Sequence, residues 1–481
     1  MTISESEPTQ TFPLSFDALR ALYQAGDVSP IQVAAEIVRR IEARGDDGVW
    51  IYKLPPNKIM ERAKELEAIP TDRRRRLALF GLPFSVKDCI DVAGLPTTSA
   101  CPAYAYTAET TNLTVARALE AGAILVGKTN MDQFATGVVG VRTPYGIARN
   151  PFDEDFIPGG SSSGAAVSVS SGLCSFSFGT DTGGSGRVPA SYNNIVGLKP
   201  TLGAFSRANM VNASRSFDTI SIYALTADDA ATVLDVCHAV DPNDFLGRAF
   251  SPVDFFDPGA PLKIAVPRET DRKFFGDIDA ELLYVEGLNE LANAGHEIVE
   301  VPFKTVFETS QMMFFGPWVA ERYAAVGDFV EAHPDDVDPI VYDVIMSSKQ
   351  YSAPDAFDAL DRLRRNASEI RQIFGQVDVM AVPTVGTVYK ISEISADPFA
   401  TNATNGLYLN FVSMADLAAI AVPNGFLPNG IPMGMTFIGP AYSDFNLAAF
   451  SKSFYPTRVP FTGASRASLN CVTPRQASIR N

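Results

Sequence analysis

Apolar residues alternate along the chain between helical spacing and short uninterrupted runs. Ser29-Pro30 supply an N-cap and a proline at the first helical position, and Ile31, Ala34 and Val38 follow at helical spacing. The same spacing predicts one helix from about residue 30 and others at residues 18–25, 113–121, 227–239, 278–294, 312–329 and 354–374. Apolar runs predict strands at residues 79–86, 123–126, 264–266, 296–301, 377–382 and 433–438.

Because predicted helices and strands alternate along the sequence, we expect an α/β fold with a mixed or parallel sheet. No internal repeat is visible, and no sharp boundary appears before Pro460. We therefore expect one large catalytic domain over residues 12–461. A disordered arm (1–11) would precede it, and a loose tail (462–481) would follow it.

Two Gly-Gly-Ser turns, which end at Ser161 and Ser185, lie within residues 158–200. Glycine before serine lets the backbone adopt unusual dihedral angles and brings amide N–H groups close to a ligand. A flexible Gly/Ser linker is the alternative, but linkers lack interleaved apolar residues such as Val167, Phe176 and Phe178. The stretch therefore predicts a site where hydroxyls and backbone donors converge.

Acidic residues outnumber basic ones among the 481 residues, and the formal net charge is −16. This excess argues against a nucleic-acid or anionic-membrane partner, so an anionic substrate would need a local arginine or lysine. No apolar run reaches 18 residues, the first eleven residues are polar and acidic, and the five cysteines form no C-x-x-C pair. We expect a cytoplasmic protein with reduced thiols.

One motif matches a nucleotide-binding pattern, but its surroundings argue against that function. Gly122 to Gly127-Lys128-Thr129 fits the phosphate-loop expression. That loop needs a strand before its first glycine, whereas here a helix precedes Gly122 and residues 123–126 are themselves the strand. Dinucleotide fingerprints and zinc-ligand spacings are also missing from the sequence, so we expect neither a cofactor nor a metal.

A nucleophilic serine usually needs a base, and the three histidines lack the context of one. His238 lies within a predicted helix, His296 begins a predicted strand, and His333 precedes a proline. A lysine base is the simplest alternative. Lys87, at the end of an apolar strand, is the candidate.

Four motifs together resemble the amidase signature family: G-L-P-F-S-V-K-D (81–88), G-K-T-N-M-D-Q-F (127–134), P-G-G-S-S-S-G (158–164) and G-T-D-T-G-G-S-G-R (179–187). In that family the serine of the second Gly-Gly-Ser is the nucleophile, a serine held after a cis peptide bond is the bridge, and the lysine of V-K-D is the base. The resemblance implies these roles for Ser185, Ser161 and Lys87, and the serine spacing of 185 − 161 = 24 positions agrees with it. It also implies a mixed sheet of about eleven strands flanked by helices.

Lysine has an ordinary pKa of about 10.4, so it is a base at neutral pH only where its surroundings lower that pKa. A neutral Lys87 can take a proton from Ser161 while Ser161 takes one from Ser185. Asp181 and Arg187 are expected to brace the nucleophile loop. The expected oxyanion hole consists of the backbone N–H groups of Thr182, Gly183, Gly184 and Ser185.

Further segments are similar to allophanate hydrolases: M-D-Q-F-A-T-G-V-V-G-V-R-T-P-Y-G (131–146), G-P-W-V-A-E-R-Y-A-A-V-G-D-F (316–329) and D-P-F-A-T-N-A-T-N-G-L-Y-L-N-F-V (397–412). In those enzymes the arginine of A-E-R binds the substrate carboxylate, which implies this role for Arg322. A guanidinium can grip a planar carboxylate bidentately. Gly137 and Phe314 are the other implied substrate-binding positions. Phe314 replaces the usual tyrosine and lacks its hydroxyl, and residues 207–219 also depart from the usual run.

The resemblance implies a serine amidohydrolase that cleaves the C–N bond of a small carboxylated acyl-urea, allophanate in particular, and releases ammonia through an acyl-enzyme. Two alternatives stay open. One is an amidase for another small amide, such as ureidomalonate or an aryl amide, and the other is an amide-handling subunit of an amidotransferase-type complex. The expected partner is a small-molecule amide, without nucleic acid or membrane, and the expected assembly is a homodimer.

Overall fold

A computed structural model of the protein describes residues 12–468, so the predicted arm (1–11) and residues 469–481 of the predicted tail lie outside the described residues. The strands within this range are β1 (Trp50–Lys53), β2 (Pro83–Lys87), β3 (Pro96–Thr97), β4 (Tyr106–Thr107), β5 (Ile124–Thr129), β6 (Phe176–Thr180), β7 (Val196–Lys199), β8 (Ile220–Ala224), β9 (Lys263–Pro267), β10 (Glu297–Val301), β11 (Val379–Pro383), β12 (Leu417–Phe426), β13 (Pro432–Pro440), β14 (Phe461–Thr462) and β15 (Ala467–Ser468).

Eleven of these strands form one sheet in the order β1-β5-β2-β6-β8-β7-β12-β13-β11-β9-β10. β2 runs parallel to β5 and β6, and β9 runs parallel to β10 and β11. The pairs from β6 across to β11 are antiparallel, as is the β1–β5 pair at the edge. The predicted mixed sheet is therefore confirmed.

The parallel part of the sheet brings candidate residues to one edge. Every residue of β2, β5 and β6 is buried, which is typical of parallel strands covered on both faces. The carboxyl ends of parallel strands meet at the same edge. Lys87 ends β2 and Thr180 ends β6, so the two side chains reach the same buried place.

Helices flank the sheet and enclose it. α6 packs on β2 and β6, and the buried apolar cluster extends from Phe12 to Ala467. The helices are α1 (Phe16–Ala25), α2 (Pro30–Arg44), α3 (Pro56–Glu67), α4 (Thr71–Arg74), α5 (Leu113–Glu120), α6 (Ser163–Ser170), α7 (Val188–Tyr192), α8 (Ala227–Cys237), α9 (Ile278–Asn293), α10 (Lys304–Met312), α11 (Ala320–Ala332), α12 (Pro339–Met346), α13 (Ala353–Ile373), α14 (Ile391–Ala396), α15 (Pro398–Gly406), α16 (Asn410–Met414) and α17 (Asp444–Arg458).

The Gly/Ser-rich stretch is a buried helix and not a linker. All eight residues of α6, S-G-A-A-V-S-V-S, are buried. Small side chains are needed there, because a Cβ on Gly164 would lie 2.2 Å from the Val49 carbonyl oxygen. Close packing therefore explains a composition that is otherwise typical of flexible chain.

Two predicted elements differ from the structure. The helix predicted over residues 312–329 is wrong as a single element, because α10 ends at Met312 and α11 begins at Ala320. Gly316 between them is extended (φ 167°), and Pro317 has no N–H with which to continue a helix. The strand predicted from residue 79 begins at Pro83, since the Leu82 N–H instead closes a turn onto the Leu79 carbonyl.

The described part of the predicted tail folds back on the Gly/Ser stretch. β14 pairs with β15, the Gly463 N–H donates to the Asn194 carbonyl (2.7 Å), and the Ser465 N–H donates to the Ser170 carbonyl (2.9 Å). Between residues 12 and 468, no helix combines the length and apolar character needed to cross a membrane.

Candidate active site

Lys87 ends β2 with its side chain completely buried. Its Nζ lies 2.7 Å from Ser161 Oγ and 2.7 Å from Thr180 Oγ1 and donates to both hydroxyls. These three groups come from three different segments that the parallel strands bring together. The structure therefore joins two of the three predicted catalytic side chains directly.

Burial lowers the pKa of Lys87, because a surrounding without water disfavours the ammonium form. Acidic groups farther away, Cys89 and Asp132 first among them, act in the opposite direction without offsetting the effect of burial. The fold thus favours the neutral amine, which is the form that a base needs.

Ser161 is fixed through the backbone on both sides of the residue. It follows a cis peptide bond, Gly160–Ser161, as the resemblance implies. The Ser161 carbonyl accepts a hydrogen bond from the Asp132 N–H (3.0 Å). The neighbouring Ser162 Oγ donates to the Thr180 carbonyl (3.1 Å) and accepts from the Thr180 N–H (3.2 Å). These contacts hold the first Gly-Gly-Ser turn against the end of β6.

Ser185 lies in the loop between β6 and α7, and only 2% of its surface is exposed. Its carbonyl accepts a hydrogen bond from the Tyr223 hydroxyl of β8 (2.6 Å). The Ser185 Oγ forms no hydrogen bond with another described residue, so the structure joins Lys87 to Ser161 but does not join Ser161 to Ser185. Catalytic contacts of this kind commonly tighten only when substrate binds.

Asp181 braces the loop that carries Ser185. Its carboxylate accepts hydrogen bonds from the N–H groups of Gly184 (2.7 Å) and Gly186 (3.1 Å) and from Arg187 Nε (2.8 Å) and Nη2 (3.0 Å). Burial raises the pKa of Asp181, but the charge and hydrogen bonds of Arg187 outweigh it and hold the pKa below its ordinary value. This geometry agrees with the bracing role expected for Asp181 and Arg187.

One of these contacts corrects the predicted oxyanion hole. The Gly184 N–H is already committed to Asp181 Oδ1, so Gly184 is not an available oxyanion donor. The motif contains both Asp181 and Gly184, but the sequence does not show which backbone N–H donates to the Asp181 carboxylate. The N–H groups of Thr182, Gly183 and Ser185 donate to no described residue and remain the candidate donors.

Close packing explains why position 183 is a glycine. A Cβ there would lie 2.8 Å from Asn410 Oδ1 and 3.4 Å from Met313 Cγ. The Asn410 amide is itself fixed, since its Nδ2 donates to the Ser310 carbonyl (3.1 Å). The backbone of the nucleophile loop can therefore approach α16 only without a side chain.

Arg322, on the first turn of α11, is a buried guanidinium that forms no salt bridge with a carboxylate of residues 12–468. Its Nη1 donates to the Ala135 carbonyl (3.3 Å) and to Thr136 Oγ1 (3.1 Å), and no carboxylate of residues 12–468 bonds to it. Burial lowers the pKa of Arg322 to about 10, which still leaves it charged at neutral pH. The Phe314 ring packs against it, with Cζ 4.9 Å from the ring centroid. The charges of Asp218 and Glu321 favour the charged form of Arg322, but neither carboxylate bonds to it, so its guanidinium can still bind an anionic ligand.

Gly137 lies in the loop whose Ala135 carbonyl and Thr136 hydroxyl contact Arg322. Two features disfavour a side chain at Gly137. Its φ is 147°, and a Cβ built there would lie 3.0 Å from Asp132 Oδ2 and 3.1 Å from Arg142 Nη1. Arg142 Nη1 donates to the Thr136 carbonyl (3.0 Å). Gly137 therefore belongs to the wall that also presents Thr136 to Arg322.

The rejected candidates have other partners. Lys128 Nζ donates to the Pro96 carbonyl (2.8 Å) and to Thr97 Oγ1 (2.6 Å), and it pairs with Asp88 (3.4 Å). Its side chain is therefore used within the fold. His296 Nδ1 accepts the Leu262 N–H (3.0 Å). No group of His, Cys, Asp and Glu within residues 12–468 is arranged to hold a metal ion.

Comparison with known proteins assigns the chain to a family. A family model described as Amidase matches residues 32–448. The chain belongs to the amidase family. This membership confirms the resemblance drawn from the four motifs.

Among individual amidase-family relatives, the urea amidolyase of Saccharomyces cerevisiae is 37% identical over 419 residues, which cover 86% of this chain and 22% of that protein. The chain thus spans about a fifth of that relative's length. The solved allophanate hydrolase of Kluyveromyces lactis is 35% identical, with a TM-score of 0.88, and the match covers 95% of this chain and 75% of that one. A glutamyl-tRNA(Gln) amidotransferase subunit of Chlorobium chlorochromatii is 30% identical, over 91% of this chain and 98% of that protein.

Residues that position the site were missed by the sequence reasoning. The Thr180 hydroxyl bonds Lys87, and the Tyr223 hydroxyl bonds the Ser185 carbonyl. The Asp132 N–H bonds the Ser161 carbonyl. Thr180 and Asp132 lie within quoted motifs, so their closeness to the candidate residues was an available signal. Tyr223 lies in a plain apolar strand and carries no sequence signal of its role.

The Asp181–Arg187 pair predicts a large loss of stability when one partner is removed. Arg187→Ala would leave the Asp181 carboxylate buried without its cation, which typically costs about 3–5 kcal/mol. Urea unfolding should show this decrease in the free energy of unfolding. Arg149→Ala is the matched control, because Arg149 forms an exposed pair with Glu154 and should change stability by less than about 1 kcal/mol. An equal effect of the two variants would contradict the bracing role.

Proposed function

We propose that this amidase is a serine amidohydrolase that hydrolyses allophanate or a closely related small carboxylated acyl-urea. The observation that carries the chemistry is the 2.7 Å hydrogen bond between the buried Lys87 Nζ and Ser161 Oγ. Lys128, which is equally buried, pairs with Asp88, whereas Lys87 forms no salt bridge with a carboxylate of residues 12–468, so burial of its ammonium form is costly. A neutral Lys87, in contrast, can act as a base and accept the proton of Ser161 Oγ.

In the proposed reaction the Ser185 Oγ attacks the carbonyl carbon of the substrate amide. Its proton passes to Ser161 Oγ, and the Ser161 proton passes to Lys87 Nζ, so that the Lys87–Ser161 hydrogen bond serves in the direction opposite to that of the resting state. The C–N bond then breaks, and the proton returns along the same path to the departing nitrogen. Ammonia leaves, and an ester to Ser185 remains.

Water completes the turnover by attack on the Ser185 ester. The water proton follows the same relay, Ser185 is regenerated, and the acyl group leaves as a carboxylic acid. Amide and water thus give acid and ammonia. The oxyanion of both tetrahedral steps would accept hydrogen bonds from the N–H groups of Thr182, Gly183 and Ser185, and one such donor is typically worth about 100- to 1000-fold in rate.

Arg322 supports the substrate class. The chain carries a net charge of −16, so an anionic substrate needs a local cation. Arg322 is buried and charged, and no carboxylate within residues 12–468 forms a hydrogen bond or salt bridge with it. The similarity to proteins named allophanate hydrolase and urea amidolyase supports the same choice. We infer that Gly137 and Phe314 complete the wall around the bound carboxylate.

Two alternatives are separable by experiment. Phe314 offers a ring where a hydroxyl would serve a carboxylate better, which favours a longer or less polar amide such as a ureido acid. The 30% identity to an amidotransferase subunit supports a role in handling an amide for a partner protein. Ammonia release by the isolated protein from allophanate, biuret, ureidomalonate and benzamide distinguishes the proposed function from these two alternatives.

We also propose a cytoplasmic homodimer with residues 12–461 as the catalytic domain.

Ser185→Ala should lower amide hydrolysis by about a thousand-fold or more, because members of a catalytic set act as a unit. A phosphonofluoridate should label Ser185 of the wild-type protein and inactivate it, which peptide mass spectrometry can locate. Labelling at Cys89 or Cys174, together with activity in Ser185→Ala, would refute this assignment.

Lys87→Arg should be nearly inactive, because arginine keeps its proton at every accessible pH. In the wild-type protein kcat/KM should rise with pH as Lys87 loses its proton and then level off. Since burial lowers the Lys87 pKa, that rise should lie below the pH at which an exposed lysine titrates. Substantial turnover by Lys87→Arg would exclude Lys87 as the base.

Arg322→Ala should raise KM for allophanate by about 30- to 5000-fold, since loss of one partner of a desolvated charged pair typically costs about 2–5 kcal/mol. Uncharged amides should change little. Steady-state kinetics on both substrates provide the test, with Arg149→Ala as the surface control. Equal losses on charged and uncharged amides would show that Arg322 is only structural.

Phe314→Tyr refines that measurement. If allophanate is the substrate, the added hydroxyl should contribute a hydrogen bond of about 0.5–1.5 kcal/mol and raise kcat/KM. A decrease for the substrate that the wild-type protein prefers would instead show that the Phe314 ring makes room for a less polar group.

A further inference from the structure

The loop of residues 213–218 is bonded to the residue that precedes Arg322. The Glu321 carboxylate accepts hydrogen bonds from the hydroxyls of Ser214 and Ser216 and from the Ser216 N–H (3.2 Å). Three donors from one short loop thus meet a single carboxylate on the first turn of α11. The position of this loop is therefore tied to the helix that carries Arg322.

The other end of the same loop is bonded to the nucleophile loop. Asp218 is completely buried, and its Oδ1 accepts the Thr182 hydroxyl at 2.5 Å. Its Oδ2 accepts the N–H groups of Ala213 (2.8 Å) and Ser214 (3.1 Å). Thr182 is one of the three remaining candidate oxyanion donors, so Asp218 links the loop to the proposed reacting centre.

Contacts within the loop make it stiff. The N–H groups of Phe217 and Asp218 both donate to the Ser214 carbonyl, at 2.9 and 2.8 Å. The Phe217 ring packs on Trp318, with ring centroids 4.9 Å apart. These contacts connect the part of the loop that bonds Glu321 to the residue that bonds Thr182.

We propose that Glu321 is a positioning residue that sets the orientation of Thr182 through the 213–218 loop. The inference rests on the proposed function, because it takes Ser185 as the nucleophile and the Thr182 N–H as an oxyanion donor. Glu321 itself touches neither group. It acts through Ser214, Ser216 and Asp218.

The geometry predicts which kinetic constant responds. Arg322 is held by the Ala135 carbonyl and Thr136 Oγ1, which do not involve the 213–218 loop. Loss of Glu321 should therefore leave the hydrogen bonds of Arg322 in place and remove only one of the two negative charges, Asp218 and Glu321, that favour its charged form. The main disturbance should then fall on the nucleophile loop. Misplacement of a positioned group lowers the rate of the chemical step more than it weakens binding.

Kinetics of Glu321→Ala and Glu321→Gln provide the first test. We expect kcat of Glu321→Ala to fall about tenfold on every amide that the wild-type protein hydrolyses, with KM changed less than about threefold. Glu321→Gln retains one acceptor oxygen, so its kcat should lie between those of the wild-type protein and Glu321→Ala. Glu331→Ala is the matched control, because Glu331 lies on the same helix and, among residues 12–468, bonds only Tyr323 and Lys349 at the surface. It should leave both constants unchanged.

A double-mutant cycle with Thr182→Val tests the route. Thr182→Val removes the hydroxyl that Asp218 holds, so if Glu321 acts through this contact the double variant should be no slower than the slower single variant. Multiplying losses would overturn the proposal, because independent sites add in free energy. A higher KM confined to carboxylated amides, with kcat unchanged, would also overturn it, since Glu321 would then serve Arg322.

Reaction of Ser185 with a neutral phosphonofluoridate separates this inference from the choice of substrate. The second-order labelling rate of Glu321→Ala should fall about tenfold although the final labelled fraction stays complete, which shows a folded but poorly positioned loop. If allophanate is not hydrolysed but this rate falls, the substrate proposal fails and the positioning role stands. Unchanged labelling of Glu321→Ala contradicts the positioning role alone. A wild-type protein that neither hydrolyses an amide nor reacts overturns both.

Discussion

The buried amine of Lys87 is the constraint on which the rest of the site depends. A lysine at the end of a fully buried strand carries its charge only at a cost, and burial accordingly lowers the pKa of Lys87. Hydroxyls of Ser161 and Thr180 satisfy the amine without supplying a negative charge. The parallel arrangement of β2 and β6 makes this possible, because it brings the two strand ends to the same edge of the sheet.

Two buried aspartates organise the two Gly-Gly-Ser turns in a similar way. Asp132 collects the N–H groups of Val139, Gly140 and Arg142 and donates its own N–H to the Ser161 carbonyl. Asp181 collects two N–H groups and a guanidinium beside Ser185. Glycine is required where these carboxylates come close, since a Cβ on Gly160 would lie 2.2 Å from Asp132 Oδ2. The glycines therefore allow tight carboxylate-centred loops, which is the opposite of flexibility.

Much of this arrangement was open to prediction from the sequence. The mixed α/β sheet, Lys87 at a strand end and the two serine turns all follow from local patterns and motifs. Other features depend on which groups meet in three dimensions. The Gly184 N–H donates to Asp181, which removes one of the four oxyanion donors that the motif implied. The break between α10 and α11 was hidden by continuous apolar spacing across Gly316 and Pro317. The link from Glu321 to Thr182 needs three separate segments and is invisible in any one of them.

The protonation state of Lys87 decides whether this buried amine can act as a base. Nuclear magnetic resonance of protein labelled with isotopically enriched lysine can follow each side chain through a pH titration, and the Lys87 signal is the one absent from Lys87→Met. We expect Lys87 to become neutral well below the ordinary lysine pKa of about 10.4, within the pH range of the proposed amide hydrolysis. A Lys87 that stays charged throughout that range would contradict it, because a protonated amine cannot accept the Ser161 proton.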